Sequence, residues 1–150
     1  MTINIRLADE KDMATIASYQ VEMAWETETF KLDLETVTKG VQAVFKNPEL
    51  GRYYIAEVDD KIVASLLTTY EWSDWRNLKV WWIQSVYVIS EFRRKGIFAR
   101  LYEYIKDKAN QDEEVGGIRL YVDKTNTSAQ ITYQKIGMNG EHYQLFEWMK

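Results

Sequence analysis

Val80 to Val88 constrains the chain most. Val80, Trp82, Gln84, Val86 and Val88 alternate with Trp81, Ile83, Ser85 and Tyr87, and both sets are largely apolar. A strand of that kind is central and covered on both sides, so the fold needs a layer on each face of a sheet. Gln84 and Ser85 are polar groups within this strand. They need partners in the core or a wet cleft to line. After the strand come Arg93, Arg94, Lys95 and Gly96, a basic turn ending in a glycine. Ile97, Leu101 and Ile105 then recur on one helical stripe, with Phe98 and Ala109 adjoining. A chain entering a helix this way leaves backbone N–H groups without intrahelical partners, and the helix dipole favours an anion there. Gly96 removes a side chain where a phosphate would approach the backbone. The stretch therefore reads as an anion site for a phosphate-bearing cofactor.

The remaining elements follow from periodicity. Ile3 to Leu7 alternates as a strand with one exposed face, and Asp9 to Asp12 suit a helix start. Met13, Ile16, Ala17, Val21 and Ala24 recur at helical spacing. So do Leu34, Val37, Val41, Val44 and Phe45, with Asp33 as N-cap and Asn47-Pro48 as terminator. Tyr53–Val58 and Ile62–Tyr70 form an antiparallel hairpin about Asp59-Asp60. Glu71 to Asn77 reads as a polar, aromatic connection. Gly116-Gly117 ends a connection before a short strand over Ile118–Val122, which implies a parallel crossover through the helix. Asn126 caps a last helix that Gly137 terminates, and Tyr143–Met149 form a final strand. The order is β-α-α-β-β-β-α-β-α-β, an α/β fold with a mixed sheet in one domain over residues 1–150.

Neither the nucleotide P-loop pattern nor the dinucleotide G-x-G-x-x-G occurs. What remains is Arg93, two residues, Gly96, one residue, then Phe98 with Ala99 behind it. This resembles the acyl-CoA pyrophosphate loop of the GNAT superfamily of N-acyltransferases. Phe98 stands where that family usually has its second small residue, and the helical period makes it a packing residue. One helix and one strand downstream, Asn126, Ala129, Tyr133, Gly137 and Met138 stand at the spacing of the family's later motif. The resemblance covers roughly residues 52 to 149, and its two motifs occur in the family's order.

The resemblance implies a GNAT-like fold in which the two parallel strands splay and pantetheine lies between them like an added strand. Val86, Tyr87 and Val88 would then supply backbone groups to it. Arg93, Arg94, Lys95, Gly96, Ile97, Phe98 and Ala99 would hold the diphosphate, and Asn126 and Tyr133 would contact the cofactor. The implied reaction is acetyl transfer from acetyl-CoA to a primary amine. Tyr133 would be the acid toward the leaving thiolate, and a backbone N–H of Val88 or its neighbour the oxyanion donor. Many family members carry a carboxylate in the strand position occupied here by Gln84, and glutamine is no base. Glu71, Glu26 and Glu22 are the candidate bases, acting directly or through water. Trp25, Trp72, Trp75 and Trp81 are candidates for an acceptor pocket that holds a cation against an aromatic face.

Composition narrows the alternatives. There is no cysteine, so disulfides, thiolate metal sites and a cysteine nucleophile are excluded, and the one histidine, His142, cannot build a histidine-rich metal site. No metal is expected. The net charge of −4 argues against a general nucleic-acid binder. With no apolar run near the ~20 residues of a membrane span and no signal-peptide pattern, a soluble cytoplasmic protein is expected, acting on a small-molecule or peptide amine. A homodimer is left open. Two rivals stand beside the enzyme: a non-catalytic acyl-CoA-binding or sensing module, and an interaction protein that pairs through its tryptophan-rich connection.

Overall fold

The computed structural model describes all 150 residues. It forms two compact units, Met1–Arg119 and Leu120–Lys150. The first contains β1 (Asn4–Leu7), a 3-10 turn at Glu10–Asp12, α1 (Met13–Glu28), α2 (Leu34–Lys46), β2 (Arg52–Val58), β3 (Lys61–Ser73), β4 (Leu78–Val88), a 3-10 turn at Ser90–Phe92, α3 (Ile97–Gln111) and β5 (Val115–Arg119). The second contains α4 (Thr127–Lys135). No helix is long and apolar enough to cross a membrane.

The sheet runs β1-β2-β3-β4-β5 in spatial order, antiparallel except for the parallel pair β4–β5. This is the expected α/β mixed sheet. One face carries Tyr53, Ile55 and Leu67, which pack with Ile16, Ala17 and Val41 of α1 and α2. The other lies under α3, where Tyr54 meets Tyr104 edge-on at 5.9 Å. Ile16, Ile55, Leu66, Leu101 and Ile105 are fully buried. Each such side chain contributes about 1.5–3 kcal/mol relative to exposure. Arg6 ties β1 and β2 to the start of α1, donating to Asp12 at 2.8 and 3.1 Å and to Glu57 at 2.7 and 3.1 Å. Asp33 caps α2 by accepting from the Thr36 amide. Asp59 and Asp60, both at positive φ, make the two-residue turn between β2 and β3.

Four expectations need correction. Glu71, Trp72 and Ser73 are strand, not connection: they pair with Val80, Lys79 and Leu78, and only Asp74–Asn77 turn. The parallel strand is Val115–Arg119 rather than Ile118–Val122, with Gly116 and Gly117 inside it. Glycine weakens a strand on its own, but here it permits close approach. A Cβ on Gly116 would meet the Leu78 side chain at 3.3 Å. The strand expected over Tyr143–Met149 does not form, and residues 139–150 carry no helix or strand. A strand exists only as one side of a ladder, and its own unit offers no second strand.

The fourth correction concerns the two faces of β4. The ladder with β3 pairs Leu67 with Gln84 but Ser65 with Tyr87, so Leu66 of β3 stands against two residues of β4, Ser85 and Val86. The extra residue is a bulge, and Ser85 takes it up at φ 54. Alternation restarts beyond it. Gln84 and Tyr87 share a face, and Val88 moves to the face of Ile83. A two-residue period cannot anticipate this, because Ser85 is not a residue that announces a left-handed backbone.

Candidate active site

Within the unit Met1–Arg119, the end of β4 has no strand paired on one side. Its ladder with β5 covers only Lys79 to Trp82, ending at Trp82 opposite Arg119. On its other side Val88 sits opposite Ala64, and the Ile89 amide donates to the Val63 carbonyl. That register makes Val88 and Ala64 a non-hydrogen-bonded pair, so the N–H and C=O of Val88 point away from β3, toward the side that β5 leaves unpaired in this unit. The expected parting of the parallel pair thus takes the form of a short ladder. Val86 lies half-buried at the bulge itself.

The chain then turns through Arg93–Gly96 into α3. Arg94 and Gly96 have φ of 61° and 78°. No side chain caps α3, and its first turn closes with the Arg100 amide on the Gly96 carbonyl. The opening amides therefore face outward beside a left-handed glycine, an arrangement suited to an anion. A Cβ on Gly96 would meet no atom within 4 Å. The glycine is required by its backbone angle, and the space before it is clear. Arg94 and Lys95 are exposed. Lys95 lies 5.1 Å from the Phe92 ring. Ile97 is buried, Ala99 is half-buried, and Phe98 packs 6.4 Å from Tyr102, one helical turn on. Phe98 is thus the packing residue that the helical period indicated.

Arg93 does something else. Its Nε donates to the Val88 carbonyl at 2.8 Å, its Nη2 pairs with Glu26 Oε2 at 2.5 Å, and its guanidinium lies 5.5 Å from the Tyr87 ring. Tyr87 in turn sets its hydroxyl 2.9 Å from Glu22 Oε2 and 3.1 Å from Glu26 Oε1. A phenol has one hydrogen, so the two carboxylates compete for it. Glu22 and Glu26 are four residues apart on α1 and share a helical face. Burial, with the two carboxylates beside it, pushes the Tyr87 phenol well above its ordinary value, so it remains a donor. Tyr19 supports the cluster through a ring contact at 5.1 Å.

Glu26, Tyr87, Val88 and Arg93 are therefore brought together, and Glu22 joins them. Glu71 is not: it faces Val80, seven residues from Tyr87 along β4, roughly 20 Å at the rise of a strand, and it is held by Arg119 at 2.5 Å. Gln84 is satisfied by the Thr69 hydroxyl. Sequence reasoning named Tyr87 for its backbone only. The side chain's role depends on the bulge, whereas the 22–26 spacing was a usable signal.

In the unit Leu120–Lys150, Asn126 caps α4 by accepting from the Ala129 amide at 3.1 Å. The helix ends with the Met138 amide on the Tyr133 carbonyl, the Gly137 amide on the Gln134 carbonyl, and Gly137 at φ 93. That is a Schellman motif. Burial holds the Tyr133 phenol above its ordinary value of 10.0.

A family model described as the acetyltransferase (GNAT) family matches residues 9–138. No curated protein matches the chain. The solved structure of a possible acetyltransferase from Clostridium difficile 630 is similar at 45% identity with a TM-score of 0.91, covering 100% of this chain and 99% of that one. A predicted acetyltransferase with acetyl-CoA from Clostridium acetobutylicum shares the fold at 19% identity and a TM-score of 0.76, covering 97% and 96%. So does glucosamine-6-phosphate N-acetyltransferase from Arabidopsis thaliana, at 20% identity and a TM-score of 0.75, covering all of both chains.

Proposed function

The chain belongs to the acetyltransferase (GNAT) family, and from that premise we propose that it transfers an acetyl group from acetyl-CoA to a primary amine by direct attack in a ternary complex. The observation that carries this reading is the pairing of an open β4 edge at Val88 with the uncapped start of α3 at Gly96. An edge that no neighbouring strand pairs suits a chain that itself carries amides, and a helix start suits a diphosphate. The clear space before Gly96 fits that group. The Clostridium acetobutylicum neighbour is described with acetyl-CoA, which supports an acyl-CoA as the ligand.

Acetyl-CoA supplies the thioester carbonyl. The opening amides of α3, from Ile97 to Ala99, hold the diphosphate with Arg94 and Lys95 as nearby charge. Val86 to Val88 line the pantetheine, and the Val88 N–H serves the carbonyl oxygen as charge develops. Amines are mostly protonated at pH 7, so the acceptor must lose a proton before attack. Glu26 takes it, directly or through water, and Glu22 shares the supporting Tyr87 hydroxyl. The N–C bond forms as the C–S bond breaks, the thiolate receives the proton of Tyr133, and the second proton of the acylated nitrogen returns to the tyrosinate through water. Asn126 and Tyr133 are assigned from the motif they complete. The acceptor is a small-molecule or peptide amine.

Calorimetry with acetyl-CoA, followed by thiol detection across a panel of polyamines, amino acids, aminoglycosides and peptides, tests the proposal. Binding heat and thiol release with at least one amine are expected. Neither heat nor thermal protection would overturn it. Heat without thiol release on any amine would favour the non-catalytic acyl-CoA-binding module.

A further inference from the structure

We infer that Arg93 is a positioning residue, a latch over the pantetheine edge, rather than a diphosphate ligand. It must leave Val88 before the acyl donor can pair there, and leaving uncouples it from Glu26. The inference rests on the acyl-CoA reading above. Its basis is the direction of the groups involved. The Val88 carbonyl points to the side of β4 that no strand covers, and the Arg93 Nε occupies it at 2.8 Å. The same guanidinium reaches Glu26 Oε2 and lies over Tyr87. It therefore bridges the strip where an added strand would run and the carboxylate that would accept the amine's proton. A carbonyl has two lone pairs, but the guanidinium that takes one of them also reaches Glu26 and so lies across the approach of a ligand amide. When the ligand wins, the Glu26 carboxylate loses a partner and becomes available. Arg93 thus makes the acceptor side responsive to the donor side, so that donor binding precedes proton removal.

The arginine spans two acceptors because its donors form a fixed fork. A lysine is a point charge on a flexible stem and serves one acceptor at a time. The test uses the full chain and two ligands, acetyl-CoA and S-acetylpantetheine, which lacks the diphosphate. Calorimetry should show Arg93→Met binding S-acetylpantetheine about three- to tenfold more tightly than wild type, the worth of one competing hydrogen bond removed. Arg93→Lys should fall between the two, and it decides the matter if Arg93→Met does not fold. With acetyl-CoA the gain should be smaller, because a positive charge near the diphosphate is lost. If Arg93 were a diphosphate ligand, the substitution would weaken acetyl-CoA alone and leave S-acetylpantetheine unchanged. A purely structural role would weaken both. Either result, or no measurable S-acetylpantetheine binding by the variants, overturns the latch while wild-type binding of acetyl-CoA keeps the acyl-CoA reading intact. A wild type that binds neither ligand overturns both.

Discussion

Gln84 and Tyr87 stand on the same face of β4 although they are three positions apart, because Ser85 absorbs the extra residue at φ 54. The bulge aims the Tyr87 hydroxyl at Glu22 and Glu26 and turns the Val88 amide to the open edge. A non-glycine residue in that region carries about 1–3 kcal/mol of local strain, held by the pairing on either side.

Ser85→Val should lose stability by about 1–3 kcal/mol, since a β-branched residue tolerates a left-handed backbone worst. It should also lose turnover, because Tyr87 and Val88 lose their aim. Ser85→Gly should keep both. Urea unfolding and steady-state kinetics on the pair check this, and a Val variant with normal turnover would show that the bulge does not set the site.

Glu26→Gln should lower kcat by ~10² to 10⁴, the range for acid–base groups, while acetyl-CoA still binds. Glu71→Gln should leave kcat nearly unchanged, because Glu71 lies at the far end of the strand beside Arg119. Equal losses in the two variants would remove Glu26 from its assigned place.

Tyr133→Phe should lower kcat within the same ~10² to 10⁴ range. Burial raises the Tyr133 phenol above 10.0, so the acid form persists through neutral and mildly basic solution and is lost only above that value. The kcat profile of the wild type should therefore show no falling limb due to this group below pH 10. A limb near pH 8 that disappears in the Phe variant would show that burial does not hold this phenol high, and wild-type kcat in the Phe variant would remove Tyr133 from the reaction.

Gly96→Val should weaken acetyl-CoA binding. The φ of 78° strains any side chain there, and the added methyls enter the clear space before α3. Calorimetry decides, and unchanged affinity means that the diphosphate lies elsewhere.

Arg6→Met should destabilise the fold by about 3–5 kcal/mol at pH 7, because it leaves Asp12 buried without its counter-charge. Burial opposes ionisation of Asp12, but the hydrogen bonds from Arg6 and the Asp9 amide outweigh it and hold the carboxyl below 3.8. A depressed carboxyl stabilises the fold above its unfolded value and ceases to as pH falls through the folded one. The gap between wild type and variant should thus narrow as pH falls, first as the unpaired, buried Asp12 of the variant protonates and then as the depressed carboxyl of the wild type does. Urea midpoints from pH 6 to pH 3 measure the gap.

The α/β class, both helical layers and the glycine-led start of α3 were legible in the chain alone. They depend on local rules: the double apolar face of Val80–Val88, the caps at Asp33 and Asn126, and the glycines at 96 and 137. Each acts within one or two turns of its own position. The tertiary structure decided what depends on a partner strand. It extended β3 to Ser73, moved β5 onto Gly116 and Gly117, and left residues 143–149 without a ladder. It also turned Tyr87 toward Glu22 and Glu26 and set the Arg93 side chain on the Val88 carbonyl. Register and bulges arise from pairing between distant segments, and no spacing within one segment encodes them.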